Sequence, residues 1–389
     1  MPVSAPRRPA GRRSLRVAFP IYCSGSAIPA CILAVCDRLQ GAAFDVEYWA
    51  PAVEPAVQRP YHRVPLPRLA TRLWYRLGLA ETGLRDLLER RYLAAVRPGD
   101  IAYLWPALSL EFFERLAERG IPIVLERVNS HRRNSMRVLD EAYRRLGLPA
   151  NHGITMRDAD IESRKLALAT RVFCPSPLVH RSLLEQGVPE HKLFHTSYAW
   201  ESHDFHVHRT PRGAGHVPQF LFVANGTVRK GLAQLLDYWA AAGLRARLRI
   251  VGPIEPALRE RCARELARPD VEHLPYRKRL DDLYGEADVF VLPSHEEGSP
   301  LVTYLALGAG LPCLVSPAGA GGVVEDRVHG LVRDPYDEVG WISALRELAG
   351  DAELRTRLGA AARAQAERYT WDQVGARRRA EFERLFAGG

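Results

Sequence analysis

The 389-residue chain predicts an α/β protein made of two doubly wound, parallel-sheet units. Short apolar runs without polar alternation recur at Leu15–Pro20, Phe44–Trp49, Ile101–Trp105 and Ile121–Leu125, then again at Gln219–Val223, Arg247–Gly252 and Val289–Leu292. Such runs mark strands buried on both faces. Helical stretches separate them, which is the βαβ rhythm of a parallel sheet. Between the two sets lies Thr210–Val217, a Pro- and Gly-containing stretch that reads as a linker. The expected organisation is a basic flexible tail over 1–14, a Rossmann-like unit over 15–208, a second over 209–370 and a terminal helix over 371–389.

The first unit opens with the strand at Leu15–Pro20, which leads through Gly25 into a helix expected to reach about Leu39. A strand, a glycine loop and a helix form the usual entry of a doubly wound unit, although the full GxGxxG fingerprint is missing here. Leu66–Val96 reads as one long helical region carrying Arg68, Arg72, Arg76, Trp74 and Tyr75. Its arginines can share one face. Two readings stand for it: a solvated face, or a surface helix that meets anionic lipid. Pro189–Tyr198 reads as the last strand of this unit.

Composition narrows the function classes. A chain 47% hydrophobic and 25% charged is an ordinary soluble globular one. The six cysteines form no CxxC pair and have no histidines at metal spacing, so neither a zinc site nor a disulfide framework is indicated, and a reducing cytoplasm is expected. No apolar run approaches the roughly 20 residues that span a bilayer, and the start lacks a signal-peptide core. The net charge of +9 is carried mostly by arginine, with Arg7, Arg8, Arg12, Arg13 and Arg16 near the start. No base-reading helix or aromatic stacking platform accompanies it, so nucleic acid is set aside.

The most informative stretch is Val289–Ser316. A buried strand ends in a loop holding Glu296 and Glu297; Gly298 then permits a sharp turn, Ser299 is placed to cap a helix, and Pro300 suits a first helical position. Helix N–H groups over Pro300, Leu301 and Val302 would face the carboxyl edge of a sheet, where anions bind. Two acids beside such a helix end fit a ligand that brings hydroxyls as well as phosphate. A sugar nucleotide brings both. Elsewhere, Glu126–Ser135 (ERVNSHRRNS) follows a strand end and contains His131, and Asp158-Ala159-Asp160 reads as a helix start rather than a DxD metal site.

These residues resemble glycosyltransferase family 4, whose fold is GT-B: two Rossmann-like domains facing across a cleft. Pro293, Ser294, Glu297, Gly298, Leu301 and Val302 match its motif, as do Gly310, Leu311 and Pro312. The chain departs from it at Leu305, where the family has a second glutamate that holds the donor ribose. The resemblance implies a retaining, metal-independent transfer of a sugar from a UDP-, GDP- or ADP-sugar to a glycan, a lipid-linked glycan or a small molecule, with no cofactor. It gives Arg229 and Lys230, in the loop ANGTVRKG, the donor diphosphate, and gives Glu297 the sugar hydroxyls. It brings His131 towards the donor sugar, Gly25 towards the donor phosphates or the acceptor, and Tyr276 against the base. It also sends the last helix back onto the first domain. A cytoplasmic enzyme is implied, with peripheral contact at the inner face of an anionic membrane where the acceptor is lipid-bound. Two alternatives stay open: a non-catalytic relative, suggested by Leu305, and a sugar-nucleotide epimerase recruiting Glu296 or His131.

Overall fold

A computed structural model describes residues 12–386 except 42, 78–79, 202, 204, 209–211 and 214. The first eleven residues of the basic tail, and part of the linker, thus lie outside the described residues. Seven parallel strands form the first sheet: β1 (Arg13–Ala18), β2 (Phe44–Trp49), β3 (His62–Arg63), β4 (Ile101–Leu104), β5 (Ile123–Glu126), β6 (Arg171–Cys174) and β7 (Leu193–His195). Their order is β3-β2-β1-β4-β5-β6-β7. The second sheet holds β8 (Gln219–Val223), β9 (Arg247–Val251), β10 (Val271–Leu274), β11 (Val289–Leu292), β12 (Cys313–Val315) and β13 (Gly330–Val332), ordered β10-β9-β8-β11-β12-β13. All the pairings within both sheets are parallel. In each sheet the winding reverses beside its first strand, and ligands of such sheets bind outside the carboxyl ends at that reversal. In the second sheet this places the loop after β8 next to the loop after β11.

The apolar runs form the cores as expected: every residue of β4, β5, β11 and β12 is buried. Three expectations need correction. Leu66–Val96 is two helices, Arg68–Arg76 and Glu81–Ala95. Gly83 lets the Trp74 ring pack closely, since a Cβ there would lie 2.9 Å from it. Pro189–Tyr198 is a 3-10 turn at Glu190–Lys192 followed by the three-residue β7, because the turn consumes the first half of the run. The helix after β11 starts at Leu301; Pro300, extended at ψ 110°, caps it instead of opening it. All six cysteines are buried free thiols.

The chain passes between the units twice. Trp200 and Trp371 are joined by a backbone hydrogen bond, with Trp200 also bonded to Tyr369. The final helix, Trp371–Phe386, lies on the first unit. Its Phe382, fully buried, meets Phe44, Tyr103 and Phe173 with ring centroids 5.8, 5.2 and 5.3 Å away. Burying one such ring stabilises by roughly 1.5–3 kcal/mol. Four residues before Phe382 and on the same helix, Arg378 is sealed against Glu126 at the end of β5.

Candidate functional site

The loops after β8 and β11 meet because two glycines allow it. Gly231, at φ +70°, closes the 3-10 turn Val228–Lys230, and a Cβ on it would lie 2.2 Å from the Pro293 carbonyl oxygen. That contact lays the turn across the end of β11, and the His295 N–H donates to the Arg229 carbonyl at 2.9 Å. A Cβ on Gly298 would lie 1.5 Å from the Val128 carbonyl oxygen. Only glycine lets the first unit's loop after β5 press so closely on the second unit.

A four-charge cluster results. Arg229 Nε sits 2.9 Å from Glu296 Oε2, and its Nη2 lies 3.5 Å from Glu297 and donates to Asn129 Oδ1 at 3.2 Å. Lys230 Nζ donates to Glu297 Oε1, which also accepts from Ser294 Oγ at 2.9 Å. From the first unit, the Ser130 N–H and the hydroxyls of Ser130 and Ser135 all donate to Glu296 Oε1, at 3.2, 2.9 and 3.2 Å. Burial would raise the Glu297 carboxyl, but Lys230 and Arg229 beside it hold it below the ordinary carboxylate range. Burial likewise pulls on Arg229, and the carboxylates of Glu297 and Glu296 hold it above its usual value. Two cations and two anions thus offset one another, and both cations border open space.

That space is a cavity of about 530 Å³ between the units. Arg127, Asn129, Ser130 and Arg132 line it from the first unit, and Asn225, Thr227, Arg229, Lys230, Glu255 and Glu296 from the second. Its size and its place at a domain interface are those of a small-molecule site.

The expected site residues divide. Arg229, Lys230 and Glu297 come together, with Glu296. His131 stands between two wall residues but faces inward. It is fully buried and caps the helix Arg132–Arg145, its Nδ1 accepting from the Arg133 N–H, while Nε2 lies 3.2 Å from Ser163 Oγ and 3.5 Å from Glu162. Burial lowers its pKa, so the ring is neutral and committed to packing. Gly25 is away from the cavity, donating its N–H to Glu54 at 3.1 Å beneath Val57. Tyr276 is 68% exposed on the edge after β10. Ser299 does not cap the next helix; its hydroxyl is 2.6 Å from that of Tyr304, because Pro300 takes the cap position. Gly298 to Val302 are not on the cavity wall as it stands. Leu305 packs half-buried against the core. Asp158 joins Thr155 in a reciprocal capping box, consistent with a helix start.

Sequence reasoning missed Ser130, Ser135, Asn129 and Glu255. The signal for the first three was the polar density of ERVNSHRRNS, in which the histidine drew attention away from the serines that carry the contact.

Two facing doubly wound sheets with this cleft are the GT-B glycosyltransferase fold. Residues 217–351, in the second domain, match the family described as Glycosyl transferases group 1. A curated relative, the D-inositol 3-phosphate glycosyltransferase of Xylanimonas cellulosilytica, is 40% identical over 126 residues, 31% of this chain and 29% of that protein. The chain thus spans less than a third of that relative's length. Sucrose-phosphate synthase from Thermosynechococcus elongatus superposes with a TM-score of 0.73 at 17% identity, over 97% of this chain and 100% of that one. Anabaena Alr3699/HepE, solved in complex with UDP and glucose, gives 0.70 at 12% identity over 96% and 100%. The two structures share the fold along nearly the whole chain.

Proposed function

We propose that the protein transfers a sugar from a nucleoside-diphosphate sugar to an acceptor, with retention and without a metal ion. The observation that carries this reading is the meeting of Arg229 and Lys230 with Glu296 and Glu297 at the second sheet's winding reversal, with Arg229, Lys230 and Glu296 on the wall of the interdomain cavity. A departing diphosphate needs positive charge where its own charge develops. Arg229 and Lys230 supply it once they exchange their carboxylate partners for phosphate oxygens, and Glu297, released from Lys230, is free to accept from sugar hydroxyls. This exchange costs little net charge separation, since one anion replaces another. Nucleotide binding in the HepE complex, and the glycosyltransferase names of the relatives, support the donor class. The acceptor is a glycan, a lipid-linked glycan or a small molecule.

Leu305 favours a second reading, a non-catalytic relative, because an apolar side chain half-buried against the core offers the ribose no acid. The epimerase alternative weakens: His131 and Glu296, its acid–base candidates, are both tied to hydrogen-bond partners within the fold.

A thermal-shift screen with UDP, GDP, ADP and their sugar conjugates, with and without EDTA, tests the proposal. A ligand at 100 times its dissociation constant stabilises by about 2.7 kcal/mol. One responsive nucleotide with no EDTA effect is the expected result. No response from any of them shifts the reading to the non-catalytic relative, and an EDTA effect overturns metal independence.

A further inference from the structure

A surface helix ordinarily turns its apolar stripe inward. The helix Arg68–Arg76 does the reverse. Thr71 is buried on it and Trp74 half-buried, while Leu69, Leu73 and, one position past its end, Leu77 stand in water at 78%, 54% and 62% exposure. Their spacing of four places them in one row. Beside that row runs a second one of exposed arginines, Arg68, Arg72 and Arg76. The helix contains no acidic residue. None of the three arginines forms an ion pair among the described residues, unlike Arg115 with Glu111 and Arg144 with Glu141 on two other helices. An apolar row with an unneutralised cationic row beside it is complementary to one kind of surface, in which hydrocarbon and negative charge lie in a single plane.

A groove of about 280 Å³ opens beside the helix, lined by Tyr22, Val53, Pro55, Val64 and Leu66, with Arg68 and Arg72 also on its wall. These residues follow β1, β2 and β3, at the carboxyl edge of the first sheet. The interdomain cavity opens on the same edge, after β4 and β5, at Pro106 and Arg127. No helix among the described residues is long and apolar enough to cross a membrane, so contact here would be in the plane of the surface.

We infer that this face docks on an anionic phospholipid bilayer, with Leu69, Leu73 and Leu77 entering the acyl boundary, the arginines on lipid phosphates, and the hydrocarbon of one lipid in the groove. Docking in this way sets the cleft's edge beside the bilayer, which selects a lipid-linked acceptor over a free glycan or small molecule; that last step rests on the glycosyl-transfer reading, and the docking itself does not.

The test is co-sedimentation of the full chain with vesicles of phosphatidylcholine alone and of phosphatidylcholine mixed with phosphatidylglycerol. Binding to the mixed vesicles only, weakened by salt, is expected. Replacing Arg68, Arg72 and Arg76 together by glutamine should lower partitioning on the order of a hundredfold, from about 1 kcal/mol per basic residue. Leu69→Ser, Leu73→Ser and Leu77→Ser together should abolish it. Equal binding by the leucine variant overturns the inference in favour of charge attraction alone. Absence of vesicle binding also overturns it, and self-association lost in the leucine variant would then identify a second copy as the occupant. Nucleotide thermal shifts without vesicles, unchanged in both variants, report the donor reading separately.

Discussion

Two of the protein's buried arginine–glutamate clusters differ in a way that separates a bolt from a site. In the first, Arg378 and Glu126 are both fully buried. The guanidinium gives Nη1 to Glu126 at 2.7 Å and to Tyr103 at 2.8 Å, and Nη2 to Glu126 at 2.9 Å and the Ser197 carbonyl at 3.0 Å. Every one of these partners lies within the fold, and the pair fixes the final helix to the end of β5. In the second, Arg229 and Lys230 hold Glu296 and Glu297, but the cations keep 32% and 20% of their side chains exposed and line a cavity. A sealed pair can only break. A pair beside a cavity can trade partners, and that trade is what a phosphate-bearing substrate requires.

Breaking the sealed pair should have the largest effect. Arg378→Ala leaves Glu126 buried and unpaired, with an expected loss of about 3–5 kcal/mol in unfolding free energy, measured by urea titration. Replacing both members, Arg378→Met with Glu126→Leu, should recover most of it, since an apolar pair carries no stranded charge. If the single variant unfolds as the native protein does, the final helix is held by Phe382 and its ring contacts alone.

Lys230→Ala should show the converse pattern. Glu297 keeps Arg229 and Ser294, so unfolding should shift by no more than about 1–2 kcal/mol. Turnover with the donor named by the thermal-shift screen should fall on the order of a hundred- to a thousandfold, the usual effect of removing one group that stabilises developing charge. A large stability loss with turnover intact would make this cluster a second bolt.

Both sheets and the second-domain half of the cluster were legible in the sequence, for a local reason. Strands buried on both faces write themselves as unbroken apolar runs, and the loop after β11 carries its acids, glycine and proline within a few residues. The first-domain half was not legible. Ser130 reaches Glu296 across 166 positions and Arg378 reaches Glu126 across 252, and no periodicity encodes such a pairing. His131 misled for another reason: a histidine serving as helix cap, with its ring turned to Glu162, has the same sequence context as one turned to a ligand. The division of Leu66–Val96 into the helices Arg68–Arg76 and Glu81–Ala95 was hidden because the sequence on both sides reads as helix. The exposure of Leu69, Leu73 and Leu77 could not be read either, since a stripe of leucines at helical spacing ordinarily signals burial.

His295 supplies the smallest expected effect and a third case, a buried titratable group with neither a sealed partner nor an exchangeable one. It precedes Glu296 in the chain, donates its backbone N–H to the Arg229 carbonyl and stacks on Tyr336 at 4.9 Å between centroids, and neither of its ring nitrogens has a hydrogen-bond partner among the described residues. Burial lowers its pKa from 6.5 to about 4, with Asp334 opposing and Arg145 assisting. The unfolded chain therefore binds a proton at His295 that the folded chain refuses between those two values, so stability rises with pH across that window. By about pH 5 the penalty amounts to about 2 kcal/mol at 1.36 kcal/mol per unit. His295→Phe keeps the ring stack and removes the proton site. Urea titrations of the two proteins should coincide near neutrality, or favour the variant slightly because two unmet polar atoms are gone, and should diverge below about pH 6.5 with the variant the more stable. Parallel acid limbs would mean that the imidazole finds a partner once charged, which would bring His295 into the exchangeable cluster beside it.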